Sequence, residues 1–286
     1  PGVAPAAAAA LPVALDVGAW SRTRAPFFEI FRQGVEDPRL ILSDGRPRAL
    51  VAYGERAARR EPTRLADARV EGVGAFRQAL VTLRGAPDGR APFAVGAEDF
   101  APLHTDFDRH AQQKNWMPFL HGGALHSVYQ LVPTMKVLSL DEALGSATAV
   151  HETETDAALS GLRQAEVRGG SQCVHLPDRE MYLGVAHVSR GRGMYTHFFF
   201  AFADTPPFRM IGVSREWCVA HEETFQSGKE LLCEGVQFVS GLTLLPPTDR
   251  ADNTSLLISY GVMDCDGRIA RISVQSALKS IKFRGE

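Results

Sequence analysis

Several common signals are missing from this chain, and each absence removes a class of function. Its four cysteines, Cys173, Cys218, Cys233 and Cys265, contain no C-x-x-C pair, so neither a zinc ribbon nor a dithiol redox couple is supported. Charge of one sign is also lacking. Lys and Arg number 31 against 33 Asp and Glu, for a net charge of −2, without the basic excess that a nucleic-acid backbone requires. No apolar run approaches the roughly 20 residues of a membrane-spanning helix. G-x-S-x-G, H-E-x-x-H and Walker motifs are absent, which leaves serine hydrolase, zincin and P-loop chemistry without a foothold. Helical periodicity is scarce and confined to Leu140 to Leu144 and Val274 to Ile281.

What is present is a globular chain of 286 residues, 45% of them hydrophobic, enough for a substantial core. Such a core does not need staples. The cysteines therefore read as buried thiols ahead of the alternative, one or two disulfides in an oxidising compartment. Residues 1–15 carry an Ala run, Ala6 to Ala10, and no basic n-region, and they read as a linker or stalk remnant with an upstream anchor left open. Residues 16–286 read as one catalytic domain without an internal linker, and Glu55 to Asp67 as a long surface loop. Both a cytoplasmic and a secretory-lumen location stay open.

A unit recurs along this domain: a short apolar strand, a turn rich in Gly, Asp or Pro, and a second apolar strand ending in an aromatic residue or His. It is read at Leu40–Leu42 with Ala49–Tyr53, and at Met117–Leu120 with Leu125–Tyr129 across His121-Gly122-Gly123. It returns at Cys173–His175 with Met181–His187 and at Leu242–Leu245 with Leu256–Tyr260. Further strand-like runs lie at Thr196–Ala203, Phe208–Val213 and Ile269–Val274. Hairpins at this spacing suit an all-β propeller, whose blades bury their faces only by stacking on neighbours; a β-sandwich is the alternative.

Chemistry-bearing residues cluster just ahead of these hairpins. In Gly34-Val35-Glu36-Asp37-Pro38-Arg39, a Gly and a Pro flank two carboxylates and precede a guanidinium. Asp37 could protonate a glycosidic leaving oxygen, with Arg39 gripping a hydroxyl or tuning the acid; the plainer reading is an Asp-Pro turn with an ion pair. Lys114-Asn115-Trp116-Met117-Pro118-Phe119 joins a cation, an amide and an indole, a mixture suited to a sugar's hydroxyls and its C–H face. Otherwise Trp116 is core. Arg168-Gly169-Gly170-Ser171 could bring backbone N–H groups against a ligand oxygen or could simply turn. His187, Tyr260 and Asp264 close the third and fourth hairpins, where the repeat would carry them to similar radial positions. His104-Thr105-Asp106-Phe107-Asp108-Arg109-His110 contains a D-x-D pattern, but without the α/β nucleotide-binding domain that carries it in transferases it reads as a solvated loop rather than a metal site.

Taken in order from Gly34 to Ile272, these motifs resemble the β-mannoside phosphorylases of glycoside hydrolase family 130 and the related β-1,2-mannosyltransferases. The resemblance implies a five-bladed propeller that transfers a mannosyl group between a saccharide and a phosphate or sugar-nucleotide donor, without metal or cofactor. It implies Asp37 as the single acid/base. It also implies that Arg39, Lys114, Asn115, Trp116, Gly170, Ser171, His187, Tyr260 and Asp264 contact substrate. Two departures stand out. Leu131-Val132-Pro133 replaces the family's His-Arg pair before a proline, which removes part of a phosphate clamp and favours a transferase. The family's upstream sugar-binding segment is not visible between Leu11 and Arg32. A non-catalytic glycan-binding propeller is the competing expectation.

Overall fold

A computed structural model describes residues 35–55, 75–84, 99–107, 113–162, 166–189, 195–219, 236–245, 254–263 and 266–285. They form an all-β propeller of four antiparallel sheets. Blade one comprises β1 (Val35–Ser43), β2 (Arg46–Glu55), β3 (Ala75–Thr82) and β4 (Phe100–Leu103). Blade two comprises β5 (Met117–His121), β6 (Ala124–Gln130), β7 (Thr134–Asp141) and β8 (Ser146–Glu154). Blade three is built on β9 (Val167–Gly169), β10 (Val174–Leu176), β11 (Met181–Ser189), β12 (Tyr195–Ala203) and β13 (Met210–Ser214). Blade four comprises β14 (Gln237–Leu245), β15 (Ser255–Val262) and β16 (Asp266–Ser273). A short helix, Val274–Ser280, then leads to β17 (Ile281–Phe283), which returns to pair with β13 on blade three.

Period-two alternation explains how the blades stack, because successive side chains of a strand face opposite sides. On β11 and β12, Tyr182, Ala186, Phe198, Phe200 and Phe202 join Met117, Phe119 and Val128 of blade two in one core. Their neighbours Leu183, Val185, Phe199 and Ala201 join Val239, Leu242, Leu256 and Ile258 of blade four in another. Blade three is thus apolar on both faces, which is why Thr196–Ala203 reads as an almost unbroken apolar run. Leu50, Leu80 and Leu103 of blade one meet Trp116, Leu125 and Leu138 of blade two in a third core.

All four hairpins form as expected, and each seeds one sheet. The expectation of five blades is corrected to four sheets among the described residues. The additional strand-like runs do not assemble a further blade: Thr196–Ala203 and Phe208–Val213 supply strands of blade three, and Ile269–Val274 supplies the last strand of blade four. The helix expected at Val274–Ile281 forms, capped by Ser273, whose side chain accepts from the Ser276 N–H. Leu140–Leu144 is not helical. It is the end of β7 and a turn in which the Asp141 carboxylate accepts from the Leu144 N–H at 3.0 Å, with Gly145 at φ +60°.

The cysteine expectation is corrected for Cys218, which is in a disulfide whose partner lies outside the described residues. Cys173 is a free, buried thiol, and burial pushes its pKa up. Residues 1–15, the loop from 56 to Asp67, Asp264 and positions 108–110 of the D-x-D stretch also lie outside the described residues. The described part of that stretch, His104 to Phe107, is exposed or half-buried.

Candidate active site

The leading strands of the blades converge at one end. β1 lies against both β5 and β14, β6 against β9, and β11 against β14. Blade three has its leading strand in two pieces, since β9 and β10 both pair with β11 and residues 170–173 lie between them. The convergence encloses a pocket of about 790 Å³ lined from all four blades, with Asp37, Asn115, His187 and Phe238 among its walls.

Asp37 enters this pocket on a β-bulge. Glu36 pairs with Ala52 and Arg39 with Leu50, so Asp37 and Pro38 together oppose the single residue Val51. Pro38 has no N–H to lose from the ladder. Asp37 adopts φ +53°, a left-handed conformation that Asp tolerates better than most residues but which still holds local strain. Asn115, which precedes β5, has φ +66°. Two neighbouring leading strands therefore use irregular backbone at the same end of the propeller.

One buried guanidinium holds these irregular segments together. Arg39 is 1% exposed. It donates from Nε to the Gly170 carbonyl at 2.8 Å and from Nη2 to Asn115 Oδ1 at 3.2 Å and the Gly169 carbonyl at 3.3 Å. Nη1 donates to the Asp37 carbonyl. Blades one, two and three are joined through that side chain, and its guanidinium lies 5.4 Å over the Phe238 ring of blade four. Burial pulls its pKa down to about 10, while the nearby Asp37 acts in the opposite sense. The approach is close enough that a Cβ on Gly169 would stand 2.0 Å from the Asn115 carbonyl oxygen, so glycine is required there.

A polar row crosses blade three at the pocket. Arg168 pairs with His187 and His187 with His197 across β9, β11 and β12; His197 in turn bridges Trp217. His187 is 2% exposed, and its pKa is pushed well below the ordinary value, first by burial and then by His197, Arg39, Arg168 and Lys114. It is thus a neutral imidazole facing a cationic side of the pocket. His197 is buried too, accepts from the Val239 N–H at 3.2 Å, and is held at about 4 by burial.

The structure therefore brings Asp37, Lys114, Asn115 and His187 to one pocket and does not bring Arg39, Trp116, Gly170, Ser171 or Tyr260 to its lining; Asp264 lies outside the described residues. Arg39 lies in the interior, bonded to backbone and to Asn115. Trp116 is fully buried in the core between blades one and two, and Tyr260 in the core between blades three and four. The Gly170 and Ser171 N–H groups both donate to the Val185 carbonyl at 3.0 Å, and the Ser171 hydroxyl accepts from the Val185 N–H while donating to Gln172. These groups are committed to closing the gap in the split strand. What the Gly-Gly segment offers is carbonyls to Arg39.

Pocket residues missed at the sequence level include Ser189, Tyr195, Phe238, Ser240 and Asp266. Ser189 and Tyr195 face each other across β11 and β12, two residues from the His187–His197 pair, so period-two reasoning from His187 reaches both. Phe238 and Ser240 lie at the start of β14, which begins five residues earlier than the apolar run Leu242–Leu245. Ser240 is the extra residue of a bulge between Val239 and Gly241, and it breaks the alternation that would reveal the strand. Among the described residues, no group of His, Cys, Asp and Glu side chains comes together that could hold a metal ion, and no helix is long and apolar enough to cross a membrane.

No protein-family model matches the sequence, nor does the sequence of any curated protein. Among solved structures the chain is similar to the β-1,2-mannobiose phosphorylase of Listeria innocua, with 15% identity, TM-score 0.51, and coverage of 86% of this chain and 60% of that one. The chain thus spans less than two thirds of that protein's length. Lower similarity extends to an α-L-arabinofuranosidase of Lactobacillus brevis (12% identity, TM-score 0.48, 83% of this chain and 72% of that one). It extends also to an α-L-arabinanase of Cellvibrio cellulosa (11% identity, TM-score 0.42, 95% of this chain and 85% of that one). The Listeria likeness bears on the fold.

Proposed function

We propose that this chain carries the site of a carbohydrate-active enzyme that transfers a glycosyl group, of the mannosyl type, with Asp37 as its single acid/base. The observation that carries this reading is the Asp37 bulge: a carboxylate on strained backbone, tied by a buried Arg39 to two other blades and opening onto a pocket with Lys114 and Arg168. A group that must meet a reacting oxygen in one orientation benefits from such preorganisation. The similar Listeria protein acts on β-1,2-mannobiose, which supports the substrate class.

In the phosphorolytic direction a phosphate oxygen bonds to the anomeric carbon as the C–O bond to the leaving sugar breaks, and the leaving oxygen takes a proton from Asp37. In synthesis the acceptor hydroxyl gives its proton to Asp37 as it displaces the donor's phosphate or nucleotide. Either way one partner is anionic, and Lys114 and Arg168 are the pocket cations suited to it. His187, kept neutral, offers a hydrogen bond without charge.

The test is turnover by wild type beside Asp37→Asn with β-1,2-mannobiose plus phosphate, mannose 1-phosphate or GDP-mannose. Loss of about 10²–10⁴-fold in the variant is expected for an acid/base. Equal turnover by the two proteins refutes the role of Asp37. Saccharide binding by a wild type that turns over no donor would replace the reading with a glycan-binding module.

A further inference from the structure

The pocket cations Lys114 and Arg168 come from the segment before β5 and from β9, whereas the lining contributed by β11, β12 and β14 has a different character. Tyr195 stands edge-on to His187 (ring centroids 5.1 Å, 83°), and Phe238 stands 5.1 Å from the same imidazole at 64°. The two outer rings are 6.4 Å apart at 82°. All three residues line the pocket, as do Ser189, Ser240 and Asp266. Trp116, the aromatic residue expected to receive a sugar, is fully buried in the core, while Tyr195 and Phe238 are only partly buried.

Resting on the saccharide reading above, we propose that Tyr195 and Phe238 form the platform for the C–H face of a hexose ring, leaving Lys114 and Arg168 to meet the anionic group. The ring geometry selects a sugar over a nucleobase here. A planar base stacks best on a face or in a slot between parallel faces, whereas rings at 82° make a corner, which suits a puckered ring with apolar faces and a polar edge. Asp266 beside them is paired with Arg268, whose Nε donates to Oδ2 at 2.8 Å, so its other oxygen is the one left to accept from a sugar hydroxyl. The sugar is therefore seated here, and Tyr195 sets how tightly it is held.

The experiment is calorimetric titration of the full chain and its Tyr195→Ala and Tyr195→Phe variants with β-1,2-mannobiose, mannose 1-phosphate, GDP-mannose, inorganic phosphate and GDP, with thermal unfolding of each as a control for folding. Expected is a loss of about 5–20-fold in mannobiose affinity for Tyr195→Ala, near-wild-type affinity for Tyr195→Phe, and no change in phosphate affinity for either. Wild-type mannobiose affinity in Tyr195→Ala overturns the platform and leaves the saccharide reading standing. Loss of GDP affinity with mannobiose affinity unchanged assigns the corner to a base and overturns it as well. Failure of wild type to bind mannobiose, mannose 1-phosphate or GDP-mannose overturns the saccharide reading and the platform together.

Discussion

Replacing Arg39 by Met should destabilise the protein far more than an exposed arginine would, and the structure allows the size of the effect to be worked out. Burial holds the guanidinium at about 10 instead of 12.5, a penalty of about 3 kcal/mol at roughly 1.4 kcal/mol per pH unit. Removing the side chain relieves that penalty. It also removes bonds from a charged donor to Asp37, Gly169, Gly170 and Asn115, each contributing about 1.5–3 kcal/mol, and leaves interior acceptors without that donor. The balance is a loss of at least about 3 kcal/mol, the scale found when a buried charged network loses one partner. Arg39→Lys should recover only part of it, because one ammonium cannot serve acceptors spread over three blades. Urea unfolding followed by tryptophan fluorescence, with Trp116 fully buried as a reporter, measures the difference at constant m. A loss below about 1 kcal/mol for Arg39→Met refutes the clamp.

Acid should weaken the fold through its buried histidines. Folded His197 titrates at about 4 and its ordinary value is 6.5, so below about pH 6.5 the unfolded chain takes up a proton that the folded chain refuses. Stability is then full above about pH 7 and falls as the pH drops toward 4, by about 3 kcal/mol from His197 alone, with His187 acting in the same sense; a flat urea midpoint from pH 7 to 4.5 contradicts this. Gly169→Ala should lower stability by about 1–3 kcal/mol, because the new Cβ meets the Asn115 carbonyl and the Met117 side chain; an unchanged midpoint would show that the two blades separate freely. Reducing the Cys218 disulfide should lower the unfolding free energy by about 2–4 kcal/mol, measured by urea titration with and without reductant, and equal midpoints count against it.

The fold was legible where alternation is simple. The hairpins around Ser43–Pro47, His121–Gly123 and Pro177–Arg179 pair apolar strands across turns of Gly, Pro and Asp, and no long-range information is needed to place them. Which strands join which blade was not legible. Thr196–Ala203 and Ile269–Ser273 are strands on any reading, and only their antiparallel pairing with β11 and β15 decides that they extend existing sheets. The same limit governs the site. Asp37, Asn115 and His187 were readable because they stand at turns or strand ends with chemical character, whereas Phe238 and Ser240 were hidden by a bulge that interrupts the period of two.

Arg39 shows why composition of a motif and the role of its members can separate. An arginine two residues from a carboxylate suggests an ion pair or a substrate grip, yet the guanidinium bonds the Asp37 carbonyl rather than its carboxylate and spends its remaining donors on blades two and three. The arrangement has a mechanical logic. A bulge lets a side chain leave the ladder, but a bulge alone is deformable; a buried fork on its backbone carbonyl makes it rigid and leaves the side chain facing the pocket. If that is the purpose of Arg39, a variant that retains the fold but lacks the fork should lose rate in the chemical step and keep saccharide affinity. Single-turnover rates of Arg39→Lys, set beside its equilibrium binding of β-1,2-mannobiose, separate the two; a variant that loses affinity and keeps its rate would place Arg39 with the substrate after all.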